Sequence, residues 1–285
     1  MRRRPRQHLP RATCHGLAVL CVWCGSVMSV RSPSPDAPAA MLALPGPLFP
    51  RIDFAPPTPE CLASAAPDVE REAVRGKRFM ILGTPMYLEE KPKVSSSSHT
   101  VKTSASVWDC SLMLAKFVEK HEPEFRGKTV LELGSGQGVV GIATAMCGAH
   151  RVILTDVAPA LPSIQHNIAL NGVSAGARAV ELDWFQPASH LAAVPPADVI
   201  LAADVVWVEE LVMPFVDTLA LALKRSREAT GGQAYALICH KTRSHHTDRM
   251  LLEGLAGHGL SVDEVPVSEH DVLWRSSELT LWRVV

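Results

Sequence analysis

Val130-Leu-Glu-Leu-Gly134-Ser-Gly136-Gln-Gly138 is an apolar run that breaks into three glycines at alternate positions and resumes at Val139 as a helical stretch. Glycine is needed there because the chain must turn sharply from strand to helix and approach a ligand beside a helix N-terminus with no Cβ in the way. Asp156 closes the next apolar run, 20 residues beyond Gly136, where a carboxylate can accept both hydrogen bonds of a ribose diol. The plainer alternative is a tight turn followed by a helix-capping Asp. Counted from Gly134, the dinucleotide pattern G-x-G-x-x-G requires a third glycine at position 139, which is Val. The spacing therefore ranks a nicotinamide cofactor behind another adenosine-containing ligand.

Outward from this turn the texture alternates. Strands are expected over 129–133, 151–155, 178–182, 198–202 and 234–239, and helices over 139–147, 160–170, 209–224 and 247–257. Continuous apolar strands alternating with helices imply an α/β fold, a mostly parallel sheet covered by helices on both faces. Segments 260–265 and 279–284 follow without a helix between them and read as a final antiparallel pair. Upstream, residues 79–88 form two short apolar pieces broken by Gly83-Thr-Pro, a hairpin signal. Ser106 stands where an N-cap belongs, before Trp108, Leu112, Ala115 and Val118 at helical spacing. Residues 95–98 read as a loop.

Two further constellations sit where strands end. Asp183-Trp184 follows the third strand, placing an aromatic face for adenine and a carboxylate for its exocyclic amine. Simple packing is the bland reading of that Trp. Asp204-Val-Val-Trp207 follows the fourth strand, with Ala203 as its last residue, so Asp204 should face the crevice or cap the next helix.

The chain has 285 residues, with 28 Lys+Arg against 29 Asp+Glu, so it lacks the positive footprint by which proteins gather phosphates, and nucleic acid is not the expected partner. The longest uncharged apolar run, residues 16–30, is shorter than the roughly 20 residues of a bilayer span, so no stable membrane insertion is expected. Seven scattered cysteines frame no disulfide scaffold, and Cys21 and Cys24 lack a second ligand pair, so no metal is expected. Twelve of the 22 prolines fall in the first 67 positions, which makes residues 1–70 a Pro-rich, disordered extension and 71–285 the folded domain. Arg2, Arg3, Arg4, Arg6 and Arg11 leave mitochondrial targeting as the alternative to a cytoplasmic location.

The ordered motifs Val107-Trp108-Asp109, Glu132-Leu-Gly134-Ser135-Gly136-Gln-Gly138, Leu154-Thr-Asp156, Asn167 to Asn171, Leu182-Asp183-Trp184 and Asp204-Val-Val-Trp207 resemble methyltransferase family 16. The resemblance covers about residues 78–285. It implies a Rossmann-like, seven-stranded class I methyltransferase fold that uses S-adenosylmethionine, most of its members being protein-lysine N-methyltransferases. It further implies that Trp108 closes over the methionine end of the cofactor and that Glu132, Gly134, Ser135, Gly136 and Gly138 belong to its loop. Asp156 would bind the ribose, Asp183 and Trp184 the adenine, and Ala203 its far wall. Asp204 and Trp207 would stand beside the methyl group and the incoming amine. The family signature after the strand is D-x-x-Y, and Trp207 departs from it; a Trp keeps an aromatic wall for an alkylammonium but loses the phenol oxygen.

The implied reaction is an in-line displacement, in which holding the amine collinear with the transferred bond supplies most of the catalysis. A lysine of pKa near 10.4 must first lose its proton, and Asp204 is the first candidate for steering it. The expected partner is a protein substrate met by a monomeric enzyme. Arginine, histidine, a small molecule or a nucleic acid base remain alternative acceptors, although the Asn/Asp-Pro-Pro-aromatic clamp for a base amine is absent. A non-catalytic cofactor-binding module is the alternative outside enzymes.

Overall fold

A computed structural model describes residues 48–49, 52–54, 77–89 and 106–285. The Arg-rich start, Cys21 and Cys24, and the expected loop at 95–98 lie outside them. All of these residues fall in one compact unit, Gly46–Val285.

The central sheet comprises β5 (Thr129–Leu133), β6 (Arg151–Asp156), β7 (Ala177–Glu181), β8 (Val199–Ala203), β9 (Tyr235–Lys241), β10 (Val262–Glu264) and β11 (Leu279–Val284). Their order across the sheet is β7-β6-β5-β8-β9-β11-β10, with β11 antiparallel to both of its neighbours and the other pairs parallel. Among the described residues seven α-helices accompany the sheet, two before its first strand and five between strands: α1 (Asp109–Lys120), α2 (Glu122–Phe125), α3 (Val139–Met146), α4 (Leu161–Leu170), α5 (Pro187–Leu191), α6 (Val212–Thr230) and α7 (His245–Gly257). The expected mostly parallel seven-stranded α/β sheet is the fold. α6 starts three residues later than its apolar spacing suggested, because Glu209–Leu211 forms a 3-10 turn first.

The central strands β5, β6, β8 and β9 are largely apolar because both faces are buried. Val130, Val152, Leu154, Val199 and Leu201 face one core with residues of α1, α3 and α4. Their immediate neighbours Leu131, Ile153, Ile200 and Ala202 face the other with residues of α5, α6 and α7. Successive side chains point to opposite faces, so a one-residue register slip would exchange the two cores.

Short strands β1 (Ile52–Asp53), β2 (Lys77–Arg78), β3 (Met80–Ile81) and β4 (Thr84–Pro85) precede the sheet. The hairpin β3–β4 turns at Leu82 and Gly83, both at positive φ, rather than across Gly-Thr-Pro, and Pro85 pairs with Met80. Paired positive φ values give the twist that matches a two-residue hairpin. Buried Lys116 of α1 donates to the Met80 carbonyl and, at 2.7 Å, to Glu119. Its ammonium also lies 4.9 Å from the Phe79 ring centroid.

Packing also reaches into the region expected as a disordered tail. Phe49 and Phe54 are buried, and with Phe79 and Trp274 they make an edge and tilted aromatic cluster at 5.2–5.5 Å between centroids. The N–H groups of Leu48 and Phe49 donate to the Asp109 carboxylate at 2.9 and 3.3 Å. Leu48, Phe49, Ile52 and Phe54 thus contribute to the core on the far side of the expected boundary at residue 70. The proline-rich flanks hid those two aromatics.

Candidate active site

The strand order reverses between β5 and β8: from β5 the chain moves to β6, and β8 lies on its other side. Loops after these two strands leave in opposite directions and open a crevice at their carboxyl ends, the usual ligand position in such sheets. The ends of β5, β6, β7, β8 and β9 carry nearly every residue singled out above.

After β5 the glycine loop is stitched to β6. Ser135 N–H donates to the Thr155 carbonyl at 2.9 Å, Gly138 N–H to the Ser135 carbonyl at 2.7 Å, and Gly136 N–H to Asp156 Oδ2 at 2.8 Å. Gly138 is the N-cap of α3 at φ 84. At Gly134 a Cβ would stand 2.9 Å from Val205 and 3.1 Å from the Trp184 ring, so the loop and the tryptophan are in direct contact.

Glu132 is buried, and its Oε2 accepts Gly141 N–H at 3.0 Å, holding the first turn of α3. Burial pushes its carboxyl up to about 8. Gly141 is the position that counting from Gly134 missed. Gly136-x-Gly138-x-x-Gly141 does satisfy G-x-G-x-x-G, and Gly141 fills the third glycine's role of close helix–strand packing, since a Cβ would come 2.5 Å from Leu154 and 2.6 Å from Glu132. Glycine spacing therefore does not separate the two cofactor classes in this chain.

Asp156 ends β6 with both oxygens engaged by backbone, Oδ2 by Gly136 and Oδ1 by Val157 at 2.8 Å each. Burial raises its carboxyl above the usual range, and these two bonds work against the rise. Each oxygen keeps a second lone pair, so the acceptor pair that a ribose diol needs is fixed in orientation before any ligand arrives. After β7, Asp183 Oδ1 accepts Phe185 N–H at 3.0 Å, and Asp183 N–H donates to His190 Nδ1 at 2.9 Å. Half-buried Trp184 meets Phe215 edge-on at 5.3 Å. His190 carries no motif and sequence reasoning passed over it.

Ala203 is the last residue of β8, and Asp204 follows it in a left-handed conformation, φ 57. The Asp204 N–H donates to the Cys239 carbonyl at 2.9 Å, and its buried side chain takes two bonds from Arg243, with Nη2 to Oδ2 at 2.6 Å. Burial opposes the Arg243 charge, but these bonds outweigh it and its pKa stands above the ordinary value. Trp207 is half-buried three residues on. Trp108, not Ser106, is the N-cap of α1, and makes no side-chain capping bond. The Arg243 guanidinium lies 5.8 Å from the Trp108 ring centroid. Nothing in the sequence pointed to Arg243, a basic residue in the loop after β9.

Asn167 and Asn171 of α4 tie another segment to this loop. Asn167 donates to the Gln137 carbonyl at 3.0 Å and accepts Glu89 N–H at 2.9 Å, while Asn171 accepts Tyr87 N–H at 2.9 Å and donates to its carbonyl at 2.6 Å. The chain leaving the hairpin is thereby fixed against the glycine turn.

Comparison with known proteins gives this arrangement its family. A family model described as lysine methyltransferase matches residues 89–256. The protein N-lysine methyltransferase METTL21A of Danio rerio is 31% identical over 163 residues, covering 56% of this chain and 71% of that protein. The protein-lysine N-methyltransferase EEF2KMT of Mus musculus is 28% identical, covering 73% of this chain and 64% of that protein. The EEF1A lysine methyltransferase 3 of Mus musculus is 34% identical, covering 50% and 58%. Among solved structures, the Thermus thermophilus 16S rRNA N2 G1207 methyltransferase in complex with AdoMet and guanosine aligns with a TM-score of 0.47 at 18% identity, over 71% of this chain and 48% of that one. The family match spans β5 to β9 and every loop that lines the crevice, and the chain belongs to the lysine methyltransferase family, the S-adenosylmethionine-dependent group that its motifs resemble.

Proposed function

We propose that this chain transfers a methyl group from S-adenosylmethionine to the ε-amine of a lysine in a protein substrate. The observation that carries the reading is the pairing of Asp156 and Trp184 on one side of the switch point with Asp204 and Trp207 on the other, within a chain matched by the lysine methyltransferase family. The donor set suits the cofactor: a preset carboxylate for a diol, an aromatic edge against the glycine loop, and an α3 N-terminus behind it. When bound, the cofactor supplies a methyl group activated on a sulfonium.

The chain's own residues then have to place a neutral amine. Asp204 and Trp207 offer an acceptor and an aromatic wall on the same loop, and Trp108 offers a second aromatic surface across Arg243. An alkylammonium is attracted to such walls, and closure over it excludes the water that would keep it protonated. With Trp in place of the family Tyr, this wall presents no hydroxyl to the acceptor.

The test is incubation of the full chain with methyl-labelled S-adenosylmethionine and a protein lysate, beside Asp204→Asn and Trp184→Ala. A discrete protease-sensitive band whose label maps to lysine, weakened but not abolished by Asp204→Asn, is expected. Trp184→Ala should weaken cofactor binding by roughly 5- to 150-fold in calorimetry, the value of losing a base–aromatic contact. No cofactor binding by the unaltered chain sinks the cofactor assignment; binding with label only on other acceptors, or none, sinks the lysine assignment.

A further inference from the structure

The Asp204 side chain is 3% exposed, and both of its oxygens are taken by one guanidinium, Arg243 Nη1 on Oδ1 and Nη2 on Oδ2. A carboxylate offers about four acceptor sites, so this fork leaves it able to accept further bonds while its charge is already compensated. The Arg243 Nε–H is buried and makes no hydrogen bond, a loss that a purely structural neutral side chain would avoid. Other ionisable groups face the pair from the surrounding elements. Asp109 and Cys110 come from α1 and the Cys239 thiol, beside Cys110, from β9; the Lys241 carbonyl accepts from Arg243 Nη1 at 3.5 Å, while its ammonium is held by Glu278, before β11, at 3.1 Å. Asp109 is engaged by the Leu48 and Phe49 N–H groups. Exposed Glu209 and His246 pair at 3.7 Å at the rim. Arg243 is the cation in direct contact with Asp204.

An uncompensated buried carboxylate beside an acceptor lysine would bind it as the ammonium and raise its pKa, the opposite of what a nucleophile needs. We propose that Arg243 is a positioning residue that compensates Asp204, so that the carboxylate orients the acceptor amine without trapping it as an ammonium. The lysine then passes its proton to water at a lower pH and keeps one N–H directed at Asp204. This rests on the placement of Asp204 beside the acceptor in the function proposed above.

The experiment is a single-turnover pH profile, from about pH 6 to 10.5, with the full chain and labelled S-adenosylmethionine in saturating excess over lysate protein, so that the rate reports the bound state. Arg243→Gln should move the acid limb up by about 1–2 pH units, lowering the rate about 10- to 100-fold on the acid side and converging with the unaltered chain above the limb. Arg243→Lys should bring the limb back, whatever its plateau. The neutral pair Asp204→Asn with Arg243→Gln keeps the packing volume and should leave the limb in place on a lower plateau, and it carries the test if the single variant fails to fold. An equal loss at every pH, no return with Lys, or an upward shift in the neutral pair overturns the proposal alone. No transfer to lysine by the unaltered chain overturns the lysine reading and this proposal with it.

Discussion

Replacing Gly141 by Ala tests how tightly α3 is seated behind the cofactor loop. A Cβ there would lie 2.5 Å from Leu154 Cγ and 2.6 Å from Glu132 Oε2. Carbon contacts are relaxed at about 3.5–4.0 Å, so α3 must retreat by about 1 Å or Leu154, which is fully buried, must leave its rotamer. Overpacking of this kind costs about 1–3 kcal/mol. The same retreat lengthens the 3.0 Å bond from Gly141 N–H to Glu132, and an unsatisfied buried acceptor adds about 1–3 kcal/mol. Ala gains about 1 kcal/mol over Gly as a helix former. The balance is a loss of about 1–5 kcal/mol, which for a domain of this size lowers Tm by roughly 2–20 °C. Urea unfolding followed by circular dichroism should show a lower midpoint with an unchanged slope. A midpoint equal to or above that of the unaltered chain would mean that propensity outweighs packing, and would refute the seating of α3 described above.

Two further outcomes follow from buried groups. The Glu132 carboxyl stands at about 8 against an unfolded value near 4.5, so the folded state holds its proton more tightly: this contribution is fully present below about pH 4.5 and is lost as pH rises through 8. Glu132→Gln, which keeps an acceptor for Gly141, should remove a slope of up to about 1.4 kcal/mol per pH unit across that window and gain stability relative to the unaltered chain toward pH 8; parallel curves of urea midpoint against pH would contradict it. A chain beginning at residue 71 should be less stable than one beginning at Gly46 by about 3–6 kcal/mol, the value of exposing Phe49 and Phe54, taken as an upper figure. Coincident urea transitions for the two would show that residues 48–54 add nothing to the core.

What could be read from the sequence followed from burial on two faces. Thr129–Leu133 and Leu279–Val284 have the bounds expected of them, since mostly apolar runs that begin directly after a charged residue, Lys128 and Glu278, leave little choice of register. Gly134, Asp156, Trp184 and Asp204 arrive at one sheet edge because each follows a strand of the same direction, a relation visible in the order of motifs. What escaped reading depends on contacts between residues far apart in the chain. Asp109 meets Leu48 across 61 positions, Arg243 meets Asp204 across 39, and neither partner carries a local pattern. Ser106 was a sound cap by composition, but the helix begins where Asp109 can receive those N–H groups, and that tertiary demand moved its start.

The spacing of Asp204-Val-Val-Trp207 also acquires a physical meaning. A left-handed residue other than glycine carries a conformational penalty of about 1–2 kcal/mol, which Asp tolerates better than most. Asp204 keeps that conformation because its N–H is held by the Cys239 carbonyl of β9 and its carboxylate by Arg243. The turn ends β8 and sends the two residues that follow into the core: Val205 lies against the face of Gly134 and Val206 is buried, both within the cluster packed under α6. Only after those two buried valines does the chain return to the surface, at half-exposed Trp207. An acid and an aromatic three positions apart are thus what a strand end yields when its next two side chains are needed for packing. The identity of the aromatic is free of that constraint, so Trp can replace the family Tyr without disturbing the turn.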